Sequence, residues 1–263
     1  MRSRLTANLR VIFALGIRSV KQTFRRPQLM APIIVFPTLL LAIQTGGAGG
    51  AVDLPGFPPV DSFLQFMLAG AILQSLMLAG NSGGIALAVD IEMGFTDRLF
   101  AAPISRSAIV LGRLVGTSVL GAFTAVWFIA IGLIFGVHFE EGVLGVLVAI
   151  VLATLAGMAI GGLGAAIALR SGRASVVQGF FPLVFVVLFL SSAFFPEALM
   201  VEPAKTIAKY NPLSFIVEGI RDPVISSFSA SEIGAALLAI AGLAALGLGL
   251  SAAALRHRVR TGG

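Results

Sequence analysis

The stretch "DIEMGFTDRLFAAPISR" occupies residues 90–106, and the run on each side of it is apolar for about the length of a membrane crossing. It gathers three acids (Asp90, Glu92 and Asp97), two arginines and a helix-stopping proline into one short connection. The rest of the chain makes that concentration informative: 57% of its 263 residues are apolar, 11% are charged, and the mean hydropathy is +1.01. Such values lie far outside the soluble average and define an all-α polytopic membrane protein. Roughly 20 apolar residues are needed per crossing, so the chain has room for about six. The predicted spans are 28–45, 63–89, 107–135, 143–169, 176–195 and 232–255, within a single transmembrane domain covering 1–263. Cysteine is absent, which excludes disulfides, thiolate metal sites and a cysteine nucleophile. The basic start, Met1 to Arg10, leads into an amphipathic stretch rather than an unbroken apolar core, so no removable signal peptide is expected.

An even number of crossings puts both termini on one side, and the positive-inside rule assigns that side to the cytoplasm. The inner segments then hold fifteen of the eighteen lysines and arginines with three acids, a balance of +12. The outer segments hold three cations and nine acids, a balance of −6, which accounts for the formal net charge of +6. The basic excess is therefore a topology signal, and a nucleic-acid partner is unnecessary. The expected location is the bacterial plasma membrane.

Residues 8–26, "NLRVIFALGIRSVKQTFRR", are amphipathic at helical period. Leu9, Phe13, Ile17, Val20 and Phe24 fall within roughly one 80° arc, with Arg10, Arg18, Lys21 and Arg25 in the next. That pattern predicts an interfacial helix, rings and aliphatic chains in the acyl boundary and cations among anionic head groups. Pro27, Pro32 and Pro37 start and interrupt the first span, predicting a kink. Glycine pairs four residues apart (Gly80 and Gly84, Gly112 and Gly116, Gly132 and Gly136, Gly157 and Gly161) permit close helix packing within the chain or across a dimer interface.

Several function classes lose their usual machinery. Ionisable residues map to loops or span ends, so proton or sodium coupling has no titratable group at depth. There is no HExxH motif and no histidine placed to serve a buried serine, so no catalytic or metal site is expected. No GxxxxGK[ST] loop is present either, so the chain has no nucleotide site of its own and takes its energy from elsewhere. No internal repeat is evident, which leaves the inverted-repeat design of many secondary transporters without support.

Residues 90–106 fit that picture as a cytoplasmic connection. Asp90 or Thr96 can cap a short helix, Leu99 to Ala102 continue it, and Pro103 stops it. Its apolar side chains split into two stripes: Phe95, Leu99 and Ala102 on one, Met93 and Phe100 nearly opposite. Two stripes suit a helix held between the membrane domain and a partner protein; a simple amphipathic loop is the other reading.

The run from Asp90, Glu92, Gly94, Asp97, Arg98 and Leu99 through Ala102, Pro103, Ile104, Ser105 and Arg106 to Ile109, Gly112 and Arg113 resembles the signature of ABC-2 type transporter permeases. By size and pattern it is most similar to the daunorubicin-resistance type, with nodulation-factor exporters as relatives. "YNPLSFIVEGIRDPV", Tyr210 to Val224, resembles the family's Asn-Pro segment before the last span. Aspartate at 97 stands where glutamate is more usual. The resemblance covers essentially the whole chain and implies a type V ABC exporter fold. It implies six spans, a coupling helix within 90–106 and an outer re-entrant helical hairpin within 196–231. It also implies a homodimer or heterodimer of permease subunits carrying two ATP-binding subunits, which hold ATP and Mg. Glu92, Gly94, Asp97, Arg98, Leu99 and Pro103 would carry the coupling.

Uncharged polar residues within the spans are candidates for a translocation path: Gln74, Asn81 and Ser82 on the second, Gln178, Ser191 and Ser192 on the fifth. Helix-to-helix hydrogen bonds are the competing use. Phenylalanine numbers 20 against one tryptophan and one tyrosine, so the aromatic surface lacks the polar tips that grip long glycans. An amphipathic or lipid-like cargo (a drug, polyketide or glycolipid) is expected to leave the cytoplasm. The alternatives are an ATP-independent secondary transporter or channel and a non-transporting membrane scaffold.

Overall fold

The computed structural model describes residues 2–25, 27–95 and 106–261, and among them the chain is helical with no strand. The elements in order are α1 (Arg2–Phe24), α2 (Pro27–Ala48), α3 (Phe63–Glu92), α4 (Arg106–Ile134), α5 (Gly142–Ser171), α6 (Ala174–Gly179), α7 (Phe181–Phe189), α8 (Ala204–Tyr210), α9 (Pro212–Ile225) and α10 (Ala230–Thr261). Among the described residues, five stretches are long and apolar enough to cross a membrane: Met30–Asp53, Phe63–Glu92, Ala108–Ile134, Gly142–Ser171 and Ala230–Arg256.

Helix α3 is the axis of the bundle. Its most apolar window is 94% buried, against 17% for those of α2 and α10. It touches α2, α4, α5, α6 and α9. Ser62 opens it by accepting from the Gln65 amide at 3.2 Å, while Gln65 Oε1 accepts from the Asp61 amide at 2.9 Å, a variant of the capping box. Small residues set the helix spacing. A Cβ at Gly84 would meet the backbone of Gly164 at 2.8 Å, and Gly157 and Gly161 lie against Thr117 on α4. The glycine pairs thus serve packing within the chain, except that Gly136 adopts a left-handed φ of +78° where α4 ends.

Helix α1 packs on α4. Gly16 meets Val115, and Gly112 and Gly116 receive Leu15 and Ser19. That arrangement leaves Leu9, Phe13 and Ile17 on the outer surface. Pro27 opens α2, where a missing N–H costs nothing, and the helix continues through Pro32 and Pro37.

The fifth predicted span, 176–195, takes a different form. It is helical only from Ala174 to Phe189, in two pieces broken at Phe180. Pro182 supplies no N–H to the carbonyl of Gln178, and the chain turns at Leu190 to Ala193. At 1.5 Å per residue those 16 residues reach about 24 Å, short of the roughly 30 Å hydrocarbon core. The connection that follows contains α8 and α9, and α9 buries Leu213, Ile216, Val217 and Ile220 against α3, α5 and α10.

Candidate functional site

At the end of the bundle where α3 terminates, three helices meet on one carboxylate. Asp90 is buried and pairs with the guanidinium of Arg113 on α4, with Arg18 Nη2 of α1 at 3.8 Å from the same oxygen. The Arg18 guanidinium also lies 3.7 Å above the ring centre of Phe95, a cation–π contact. α3 then stops: Met93 donates to the Val89 carbonyl, Gly94 donates to the Ile91 carbonyl, and Gly94 takes the left-handed φ of +67° that closes a helix. Glu92 Oε1 accepts from the Ala174 amide at 2.9 Å, supplying the first turn of α6 with a carboxylate where Arg173 offers no side-chain cap. Residues 90–95 are therefore joined to α1, α4 and α6 at once. Asp97, Arg98, Leu99 and Pro103 lie outside the described residues.

At the opposite end, Arg221 of α9 is 1% exposed. Its Nε donates to the Phe66 carbonyl at 3.1 Å, its Nη2 to the carbonyls of Ser192 and Ala193 at 3.0 and 3.1 Å, and its Nη1 to Glu218 at 2.6 Å. The guanidinium carbon sits 3.9 Å over the Phe66 ring. Ser192 Oγ donates to the same Glu218 oxygen at 2.5 Å. Asn211 caps α9 by accepting from the Leu213 amide, and its Nδ2 donates to the carbonyls of Val187 and Leu190, which the end of α7 leaves open. A buried cation is tolerable because carbonyl dipoles and one carboxylate replace its water.

The candidate path residues divide between these regions. Ser191 and Ser192 are buried in the turn after α7, where Ser191 Oγ donates to the Leu188 carbonyl at 2.5 Å. They stand beside Gly70, whose Cα faces the Ala193 carbonyl. Asn81 and Ser82 are half-buried eleven and twelve residues further along α3, about 16 to 18 Å away along the axis. Ser82 lines a narrow crevice between α1, α3 and α4 with Gln22 and Thr117. Gln74 lies between the two groups, buried, its Nε2 without a hydrogen-bond partner among the described residues. Gln178 is exposed on α6.

Sequence reasoning placed Arg221 and Glu218 in an outer connection and missed the burial of Arg221 against the half-exposed Glu218. The available signal was a pair of opposite charges three residues apart inside the apolar run "FIVEGIRDPV". It also missed the joining of Asp90 to Arg113, although opposite charges at matching ends of consecutive apolar helices mark such a pair.

A helical bundle with, among the described residues, five membrane-length apolar helices, a buried charge cluster at one end and a folded polar plug at the other defines a polytopic membrane protein. The family model for the ABC-2 type transporter matches residues 10–225, and the chain belongs to that family, whose members are transport permeases. It is 25% identical over 221 residues to the daunorubicin resistance ABC transporter permease protein DrrB1 of Streptomyces coeruleorubidus, covering 84% of this chain and 77% of that one. It is 28% identical over 212 residues to a protein named as a transport permease, ycf38, of Porphyra purpurea, covering 80% and 72% of the two chains. The ycf38 protein of Pyropia yezoensis gives 28% over 214 residues with the same shares.

Proposed function

We propose that this chain is the membrane subunit of an ATP-driven exporter and that residues 90–106 couple it to a separate ATP-binding subunit. The family implies such a partner, and the absence of a phosphate-binding loop in this sequence agrees with it. The observation that carries the proposal is the joining of Asp90, Glu92 and Phe95 to α1, α4 and α6. A push on this segment is passed to three helices rather than absorbed in a loop. Glu92, Gly94, Asp97, Arg98, Leu99 and Pro103 form the coupling element. Two ATPase subunits hold ATP and Mg and close on nucleotide binding, and a second permease subunit completes a homodimer or heterodimer of type V architecture. Helices α6 and α7 with the following turn make the fifth of six crossings, α8 and α9 form the outer re-entrant hairpin, and both termini face the cytoplasm of a bacterium.

The cargo is amphipathic or lipid-like, and drug resistance in the name of the Streptomyces relative supports that class. Gln74, Asn81, Ser82, Gln178, Ser191 and Ser192 are proposed to line its route. Charge reversal at Asp97 or Arg98 should abolish uptake of a fluorescent amphipathic drug by inverted vesicles while membrane insertion is unchanged. Undiminished, nucleotide-dependent uptake in both variants would refute the coupling assignment.

A further inference from the structure

The inner third of α10 runs between two unfilled apolar grooves. One, of about 490 Å³, lies between α10, α5 and α6 and is walled by Ile167, Val176, Phe180, Leu250 and Ala253, with Arg170 at its end. The other, of about 420 Å³, lies between α10 and α4 and is walled by Val110, Leu111, Leu248, Ala252 and Leu255, with Arg256 at its end. Both volumes fall within the roughly 300–1,000 Å³ typical of ligand sites. The grooves exist because α10 meets α5 through glycine, a Cβ at Gly247 coming within 2.9 Å of the Gly162 carbonyl carbon. Ala252 and Ala253 then present side chains too short to fill the space on either flank.

Each groove pairs a long apolar wall with a single cation at one end. Arg170 and Arg256 are both exposed, and neither makes an ion pair among the described residues. The described acids at this end of the bundle are engaged elsewhere, Asp90 with Arg113 and Arg18, Glu92 with the Ala174 amide. Among the described residues, no ion pair or free buried carboxylate meets either cation, so an anionic head group is the chemistry that completes each groove. We propose that both grooves are binding sites for anionic phospholipid of the surrounding leaflet, an acyl chain lying against α10 and the head-group phosphate on Arg170 or Arg256. A zwitterionic lipid brings its own cation toward the arginine and is held less well. These lipids are resident partners of the fold, distinct from exported cargo, so the inference stands or falls independently of transport.

The test is native mass spectrometry of the full chain, released from detergent after incubation with phosphatidylglycerol or phosphatidylcholine of identical acyl chains. Wild type should retain phosphatidylglycerol in preference, with up to two tightly held molecules per chain. Arg170→Gln and Arg256→Gln should each weaken retention at one site about five-fold, the equivalent of about 1 kcal/mol per basic residue. Arg173→Gln, which removes the same charge outside both grooves, should leave it within two-fold. Ala253→Leu, which narrows the groove against Leu250 and Phe180, should weaken retention at that site. Equal retention of the two lipids by wild type overturns the proposal, as does an Arg173→Gln effect as large as that of Arg170→Gln. It is also overturned if Ala253→Leu breaks an oligomer while lipid retention is unchanged, because the groove then belongs to a subunit interface.

Discussion

Replacing Asp90 with asparagine removes the carboxylate from the point where α1, α3 and α4 meet, and the consequence follows from how the two arginines are exposed. The side chain of Arg113 is 10% exposed and that of Asp90 6%, so the substitution strands a guanidinium with little water to take over. Breaking one side of a buried pair costs about 3–5 kcal/mol, most of it the uncompensated charge. Arg18 is 41% exposed and 3.8 Å from the carboxylate, a distance worth about 1 kcal/mol in water. Arg18→Gln also gives up the cation–π contact with Phe95, so it should cost about 1–2 kcal/mol, less than Asp90→Asn. The double variant Asp90→Asn with Arg113→Met removes both charges and fills the space with an apolar chain, so it should recover at least about 2 kcal/mol of the Asp90→Asn loss. Unfolding of the purified chain by increasing denaturing detergent in mixed micelles, followed through Trp127 fluorescence, gives all three differences. Equal losses for Asp90→Asn and the double variant would show that the pair is not the source of the effect, and the reasoning would be wrong.

Three other outcomes follow from the same geometry. Arg221→Met leaves the carbonyls of Phe66, Ser192 and Ala193 without their donor and should destabilise the chain by about 3 kcal/mol or more, whereas Glu218→Gln, at a half-exposed site, should cost less than half as much in the same unfolding assay. Gly84→Val sets a branched side chain against the Gly164 backbone and should cost about 1–3 kcal/mol, while Gly234→Val, in open space on α10, should cost under 1. Glu92→Ala removes the acceptor for the Ala174 amide, and exchange of that amide with solvent deuterium should accelerate several-fold without a change in global stability of more than about 1 kcal/mol.

Much of the bundle was legible because long apolar runs bounded by charges admit few other structures. The predicted spans 63–89, 107–135 and 143–169 correspond to Phe63–Glu92, Arg106–Ile134 and Gly142–Ser171, and 8–26 falls on a helix that begins earlier, at Arg2. The segment 176–195 was misjudged in form because hydropathy counts residues and is blind to where the backbone hydrogen bonds go. Pro182 breaks the ladder, and the carbonyls of Val187 and Leu190 are satisfied by Asn211, more than twenty residues away. Long-range satisfaction of that kind leaves no local pattern. The same holds for Arg221, which reaches back 155 residues to Phe66. Of the proposed coupling residues, Gly94 entered through the family resemblance, and its left-handed φ of +67° at the end of α3 gives the backbone reason for a glycine there. The role of Glu92 depended on Ala174, which sequence spacing does not connect to it.

On the proposed reading, this permease draws its energy from a separate ATPase docked on residues 90–106. The most direct test is a mild-detergent pull-down of the tagged chain from its native membrane, with vanadate-sensitive ATP hydrolysis assayed in the eluate and the experiment repeated with Arg98→Glu. Hydrolysis that co-purifies with the wild type and is lost from the variant is the predicted result. Eluates without ATPase activity even after crosslinking in the membrane, or activity equally retained by Arg98→Glu, would contradict it.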